Sequence, residues 1–217
     1  MAKTCSRILS NVAGMALLLI IGCASTEPSR FYTLSPLRAQ GQSEAGTITE
    51  RPTYLFVGPL FLPDYLDRPQ LVSRTGSNEI QIAEFHRWAG SFRADVTRVL
   101  VEDLSLLLSS EPVTVLPWKA LTTAASAPDS APHCKIVVEI TRFEGTLGDR
   151  VKLDATWGLT GREWKDLFPR KRGEYVEPVN GKDYAALVDG MSRALGRLSH
   201  DIADAVRPHL PMAQRKE

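Results

Sequence analysis

Two amphipathic helical patterns, separated by segments of strand character, limit the folds open to this chain. From Phe92 onward, apolar residues recur at steps of three and four, which marks one face of an α-helix. A second stripe of this spacing covers residues 184–205 and stops before Pro208 and Pro211. Such stripes could pair helices between chains, but we expect both to pack on a sheet formed by the rest of the chain.

Runs of β-branched and aromatic residues lie before and between the two stripes. Residues 71–74 and 79–82 flank Gly76-Ser77-Asn78 and predict a hairpin, and residues 135–143 and 151–159 predict a longer one. Further strands are predicted at 31–34, 53–57, 113–116 and 173–177, and loops at 38–52 and 120–132. This order predicts a single α+β domain: a mixed, largely antiparallel sheet packed against two main amphipathic helices.

The N-terminus has the layout of a secretory signal. Lys3 and Arg7 precede an apolar run at residues 12–21, which is too short for a transmembrane helix because spanning takes about 20 apolar residues. Gly22 and Cys23 follow branched aliphatic residues, and this pattern resembles a bacterial lipoprotein box. The resemblance implies that Cys23 becomes the first mature residue and carries a thioether-linked diacylglycerol and an acylated amine. An ordinary signal peptide that contains Cys23 is the alternative.

This N-terminal pattern divides the chain into three parts. We expect a lipoprotein signal peptide at 1–22, a lipidated tether at 23–30 and the folded domain at 31–217. Several acyl chains on Cys23 would make membrane attachment permanent, whereas a single chain binds only reversibly. Ala24 stands where an aspartate is the usual inner-membrane retention signal. The resemblance therefore implies the periplasmic face of the outer membrane.

Charge and cysteine content narrow the class of protein. Removing Lys3 and Arg7 with the signal leaves 24 basic and 25 acidic residues, a balance that gives no reason to expect a nucleic-acid partner. Cys134 would be the remaining thiol, because Cys5 leaves with the signal and Cys23 is acylated. One thiol cannot form an intramolecular disulfide, so the stability of the domain must come from its core.

The sequence has no motif typical of catalysis, metal binding or cofactor binding. It lacks zinc-ligand spacing, a nucleophile elbow and a Walker loop, so we predict no enzyme, no metal and no cofactor. His133 and Cys134 are adjacent in a predicted strand, where neighbouring side chains point to opposite faces and cannot readily share a proton. His200, near Asp201 and Asp204, is expected on a solvated helix face.

A basic cluster follows the long predicted hairpin. Together with Trp164 and Phe168 it could dock on lipid headgroups or on an acidic partner, or it could be a solvated connection balanced by nearby acidic residues. The cluster consists of Arg162, Lys165, Arg170, Lys171 and Arg172.

One motif is more distinctive than the helices. Residues 63–72 read PDYLDRPQLV, and Arg74-Thr75-Gly76 and Trp88-Ala89 follow. This pattern resembles the ABC-type transport auxiliary lipoprotein family, whose best-known members are intermembrane transport lipoproteins of the PqiC-like type. Tyr32-Thr33-Leu34 and the last helix also match, so the resemblance covers nearly the whole mature chain. Members commonly have an acidic residue and Pro after the Trp-Ala pair, where this chain has Gly90-Ser91-Phe92.

The resemblance implies a non-enzymatic accessory subunit of a transport system. In such systems MCE-domain proteins, sometimes with an ABC ATPase, move lipids between two membranes, and the lipoprotein docks the assembly at the outer membrane. An MCE-domain protein is therefore the expected partner, and a homo-oligomer is left open. A lipid-anchored cell-envelope hydrolase is the alternative, with the carboxylates of Asp64, Asp67 and Glu144 as unassigned candidates.

The same motif supplies the candidate partner surface. Pro63 and Pro69 limit sheet pairing at both ends of the segment, which predicts a stiff loop after the preceding strand. In one interpretation Tyr65 and Leu66 fold over the edge of the sheet. In the other, Tyr65, Leu66 and Arg68 form an interface with a neighbouring subunit or an MCE protein, because Tyr and Arg are favoured interface anchors.

Overall fold

Eight strands form one mixed sheet, and two long helices pack against it and against each other. The computed structural model describes residues 27–38, 53–122, 133–161 and 166–210. The strands are β1 Arg30–Tyr32, β2 Thr53–Phe61, β3 Gln70–Arg74, β4 Ile80–Trp88, β5 Val113–Pro117, β6 His133–Gly145, β7 Arg150–Thr160 and β8 Lys171–Pro178. The helices are α1 Phe92–Leu107, the short α2 Lys119–Thr122 and α3 Tyr184–Val206, which a 3₁₀ turn at Arg207–His209 follows. The predicted fold class, a single α+β domain, is confirmed.

Strand β6 is the centre of the sheet. The strand order is β1-β4-β3-β6-β2-β5, with β7 on the free side of β6 and β8 beside β7. One edge of β6 pairs in parallel with β2 and then, at Gly145, with Ser73 of β3. Its other edge pairs with β7 in an antiparallel ladder. Both predicted hairpins, β3–β4 and β6–β7, are confirmed.

Two strands are longer than the sequence pattern predicts. Gly58-Pro59 is a turn signal, yet β2 continues past it, because pairing with β6 resumes at Leu60 after a register shift. Gly58 adopts a φ of 118°, which a residue with a side chain rarely takes, so the bulge depends on glycine. Similarly, β4 runs past the hairpin to Trp88, where β1 pairs with it in parallel. The predicted loops at 38–52 and 120–132 lie largely outside the described residues.

The core lies between the sheet and the two helices, as the stripes predict. Leu104 of α1 and Leu195 of α3 are completely buried. Trp88 at the end of β4 stacks on Phe92 of α1 with ring centroids 4.5 Å apart, and Phe92 contacts Phe143 of β6 at 5.6 Å. This aromatic row fixes the start of α1 against the sheet.

Each long helix begins at a side-chain cap. Ser91 Oγ accepts a 3.3 Å hydrogen bond from the Ala94 amide and caps α1. Asp183 Oδ1 accepts a 2.8 Å bond from the Ala186 amide and caps α3. Such oxygens satisfy a backbone donor that the helix itself cannot. Ser91 therefore starts α1 within Gly90-Ser91-Phe92, where the family that the sequence resembles commonly has an acidic residue and Pro.

Candidate functional site

The predicted lipid attachment site is not among the described residues. Cys23 and the whole signal at 1–22 lie outside them, so acylation of Cys23 stays a prediction. None of the helices in the described ranges is long and apolar enough to cross a membrane. The structure does describe how the chain continues from the tether into the domain.

Residues 33–38, which we call the N-terminal strap, lie between α1 and α3. On the α1 side, the Leu34 amide donates to Asp95 Oδ2 at 2.7 Å, and the Leu34 carbonyl accepts from Arg98 Nη2 at 2.8 Å. On the α3 side, the Ser35 amide donates to Ser192 Oγ at 3.0 Å. The strap is therefore bound by side chains of both helices immediately after β1.

A buried carboxylate joins the strap to both helices. Asp103 is fully buried in α1; its Oδ1 accepts from the Leu37 amide at 2.7 Å and its Oδ2 from Ser199 Oγ of α3 at 2.9 Å. Burial raises the pKa of Asp103, although both hydrogen bonds favour the charged form. Gly196 of α3 leaves room for the Leu37 side chain, because a Cβ at position 196 would lie 2.8 Å from Leu37 Cδ2.

The candidate partner segment, residues 63–69, is a short turn fixed at several points. The Leu66 amide donates to the Pro63 carbonyl at 3.0 Å, which closes the turn. Leu66 is only 3% exposed and belongs to the main core. Asp67 Oδ2 accepts a 2.7 Å bond from Arg93 Nη2 in the first turn of α1. Leu66 thus anchors the segment, and Tyr65 and Arg68 on either side of it stay half-buried.

Tyr65 reaches a buried ionic group. Its hydroxyl donates a 2.7 Å hydrogen bond to Glu144 Oε2, and the Glu144 side chain has no exposed surface. Glu144 Oε1 accepts from Arg74 Nε at 3.0 Å and Arg142 Nε at 2.9 Å. Burial and the neighbouring carboxylate raise the pKa of Tyr65, so the phenol stays protonated and donates. Arg74 and Arg142 both pair with the Glu144 carboxylate, in a site where an unpaired carboxylate would be costly.

Arg68 has unused hydrogen-bonding capacity. Its Nε is buried and has no hydrogen-bond partner within the described ranges. A buried donor left without a partner costs about 1–3 kcal/mol. The half-buried Arg68 guanidinium forms no side-chain hydrogen bond or ion pair in the described ranges, whereas the Tyr65 hydroxyl already has an acceptor.

Other candidate residues have structural surroundings. Cys134 is half-buried, and burial raises the pKa of its thiol, which disfavours the nucleophilic thiolate. Asp201 accepts a 2.8 Å hydrogen bond from the Tyr175 hydroxyl. Asp64 is exposed, while Asp67 and Glu144 are in ion pairs. In the described part of the chain, no group of three or more His, Cys, Asp or Glu side chains could hold a metal ion.

The basic cluster is described only in part. Arg162 and Lys165 lie outside the described residues, as does Trp164. Lys171 Nζ lies 5.6 Å from the ring centroid of Trp157 and 5.5 Å from that of Phe168, within cation–π range. Its docking role stays a prediction.

The sequence carried a signal for one of the groups that we did not predict. Asp103 interrupts the apolar face of α1 beside Leu104, and a charged residue at a core position indicates a buried polar contact. The Glu144 group had no comparable signal, because Arg74, Arg142 and Tyr65 come from three separate parts of the chain.

Comparisons with known proteins agree with the motif. The family model described as ABC-type transport auxiliary lipoprotein component matches residues 32–203. The chain is 27% identical over 171 residues to the intermembrane transport lipoprotein PqiC of Escherichia coli K12, covering 78% of this chain and 83% of that protein.

Two crystal structures resemble the fold. One is of a protein described only as uncharacterized, with a TM-score of 0.65 at 20% identity, covering 83% of this chain and 99% of that one. The other is of protein XCC0632 from Xanthomonas campestris, with a TM-score of 0.59 at 14% identity, covering 81% of this chain and 93% of that one. These likenesses support the fold alone. Since the family model extends from β1 into α3, this chain belongs to the ABC-type transport auxiliary lipoprotein family.

Proposed function

We propose that this chain is an outer-membrane-anchored periplasmic lipoprotein that serves as the accessory, docking subunit of an MCE-type intermembrane lipid transport system. The observation that carries the proposal is the family match over residues 32–203, together with a relative named as an intermembrane transport lipoprotein. The role is non-enzymatic, and the anchor is acylated Cys23 at the start of the 23–30 tether. An MCE-domain protein is the partner.

The strap supports a docking role. The chain enters the domain from the tether through β1, and residues 34–37 then bind Asp95 and Asp103 of α1 and Ser192 of α3. An anchor attached at this end would hold both helices, and through them the core, at the membrane. The docking surface would then keep a defined distance from the membrane, limited by the short tether.

We place the docking surface on the 63–69 segment because this segment is held rigidly and carries residue types that favour binding. Leu66 in the core and the Asp67–Arg93 ion pair hold the segment in one conformation, so little ordering entropy would be lost on association. The half-buried Arg68 guanidinium has no side-chain hydrogen bond or ion pair in the described ranges, and Arg and Tyr are enriched among residues that dominate binding energy. We propose Tyr65 and Arg68 as partner contacts, with buried Leu66 as the residue that positions them.

The proposal can be tested on the full chain in its own cells. A C-terminally tagged chain is cross-linked in intact cells, the membranes are separated by density, and captured proteins are identified by mass spectrometry. We expect the wild-type chain in the outer-membrane fraction, cross-linked to an MCE-domain protein. The Arg68→Ala variant should lose most of this cross-link, whereas Arg197→Ala, which removes an exposed arginine of α3, should retain it.

Three outcomes would contradict the proposal at different points. Recovery of the acylated chain in the inner membrane would overturn the proposed location. Capture in the outer membrane without any MCE-domain protein would overturn the docking role. If the cross-link survives Arg68→Ala at an unchanged melting temperature, the partner surface lies elsewhere on the domain.

A further inference from the structure

A concave, basic site lies where the β3–β4 turn meets the β6–β7 turn. Its volume is about 300 Å³, and four basic side chains line it: Arg74, Arg142, Arg150 and Lys152. Glu144 and Asp149 also line it, so the formal charge of its ionisable groups is +2. Serine and threonine residues of the two turns contribute hydroxyl groups.

The two acids leave much of this basic surface unused. Glu144 Oε1 accepts hydrogen bonds from Arg74 Nε at 3.0 Å and Arg142 Nε at 2.9 Å, and Arg74 Nη2 lies 2.9 Å from the same oxygen in an ion pair. Asp149 binds only Arg150 Nε, at 2.9 Å. Over the described ranges, no hydrogen bond or ion pair is formed by the Lys152 ammonium or by the Nη atoms of Arg142 and Arg150. These groups line an open cavity with their charge-assisted donors free.

Glu144 holds the arginines in place. Its side chain is fully buried, while those of Arg74 and Arg142 are 21% and 32% exposed. Each guanidinium is therefore tied to the protein on its Nε side, and Arg142 keeps its terminal nitrogens free. An arginine fixed in this way loses less side-chain entropy when it binds an anion, because much of its freedom has already been lost.

We propose that this site binds the phosphate group of an anionic ligand, with a phospholipid headgroup as the source that matches the proposed function. Arginine forks and a lysine ammonium are the side chains that recognise phosphate oxygens. A volume of about 300 Å³ suits a compact headgroup better than an extended acidic peptide. As a site for a transported lipid, the inference rests on the proposed function, so it is tested without any partner protein.

The test measures binding to the purified full chain in neutral detergent. The probes are inorganic phosphate, glycerol 3-phosphate and mixed micelles that contain phosphatidylglycerol. Calorimetry measures the binding of each probe. The test variant is the double substitution Arg150→Gln with Lys152→Gln, which leaves the Glu144 group intact. The control, Arg193→Gln with Arg197→Gln, removes the same charge from exposed positions on α3. The melting temperature of each variant reports its fold.

We expect the Arg150/Lys152 variant to bind the phosphate probes at least about tenfold more weakly than the wild type, at an unchanged melting temperature. The control should stay within about twofold. Binding of phosphatidylglycerol without binding of the soluble phosphates would identify the lipid as the source, and binding of all three would extend the site to free phosphates.

Three results would overturn the site. They are no binding of any phosphate probe, equal weakening in the control, and binding of a polyglutamate peptide in place of phosphate, which would assign the surface to an acidic protein. Capture of the MCE-domain protein by the Arg150/Lys152 variant is measured in parallel. Lost phosphate binding with retained capture would separate this site from the docking role.

Discussion

Ser199 Oγ donates a 2.9 Å hydrogen bond to Asp103 Oδ2 and so joins α3 to α1 across 96 positions of the chain. The other carboxylate oxygen accepts from the Leu37 amide. Three separate segments therefore meet at one buried acid. Because that acid is desolvated, its protonation state is coupled to the packing of the strap on the helices.

The raised pKa of Asp103 predicts a specific pH dependence. Between its ordinary value of 3.8 and its higher folded value, the native state holds more protons than the unfolded state. The contribution of this group to the free energy of unfolding therefore falls as pH rises through the folded pKa. Asp103→Asn removes that loss. In urea unfolding, the stability of the variant relative to the wild type should increase from pH 4 to pH 7, and a constant difference would contradict the raised pKa.

The helix stripes predict large effects from single truncations. Leu104 and Leu195 are fully buried, and Leu→Ala at such sites costs about 2–5 kcal/mol. Each change should lower the melting temperature by at least about 4 °C. Leu167→Ala is the matched control because Leu167 is 40% exposed. A shift at Leu104 or Leu195 no larger than the control would contradict their place in the core.

Tyr65→Phe should destabilise the domain while keeping the aromatic ring. The change removes the 2.7 Å hydrogen bond to the buried Glu144 carboxylate, a loss of about 1–3 kcal/mol. Thermal unfolding measures it, and Arg68→Ala serves as the comparison because it breaks no hydrogen bond at Arg68 Nε. An unchanged melting temperature for Tyr65→Phe would mean that Glu144 is satisfied without Tyr65.

Cys23→Ser should abolish lipid attachment. A serine hydroxyl cannot form the thioether, so processing that depends on it would stop and a larger precursor would remain held by its signal. Metabolic labelling with a radioactive fatty acid, followed by gel electrophoresis, measures both the label and the size. Equal labelling of wild type and variant would remove Cys23 as the acylation site.

Local patterns predicted the helices, the hairpins and the fold class, because residues that share a face recur at fixed spacing. The predicted ends of β2 and β4 were wrong for a physical reason. Gly58-Pro59 is a turn signal, but pairing with β6 turns it into a bulge, and β1 extends β4 to Trp88. Long-range pairing outweighs the local signal at both places.

The site was less predictable than the fold. The sequence marked residues 63–69 as unusual, but it did not show that Leu66 enters the core or that Tyr65 meets Glu144. Tyr65 and Glu144, for example, are 79 residues apart in the sequence. No periodicity within either segment encodes such a contact, since it depends on how the whole sheet is assembled.

The path of the strap also determines how the domain responds to a mechanical pull. The strap advances from Leu34 to Leu37 as its α1 partners advance from Asp95 to Asp103, so it runs along the helix axis. Three extended residues and eight helical ones both cover about 10–12 Å, which lets the contacts stay in step. A pull directed along the strap would act across these hydrogen bonds. Those bonds are loaded together, in shear, and would have to fail together before the helices part from the anchor.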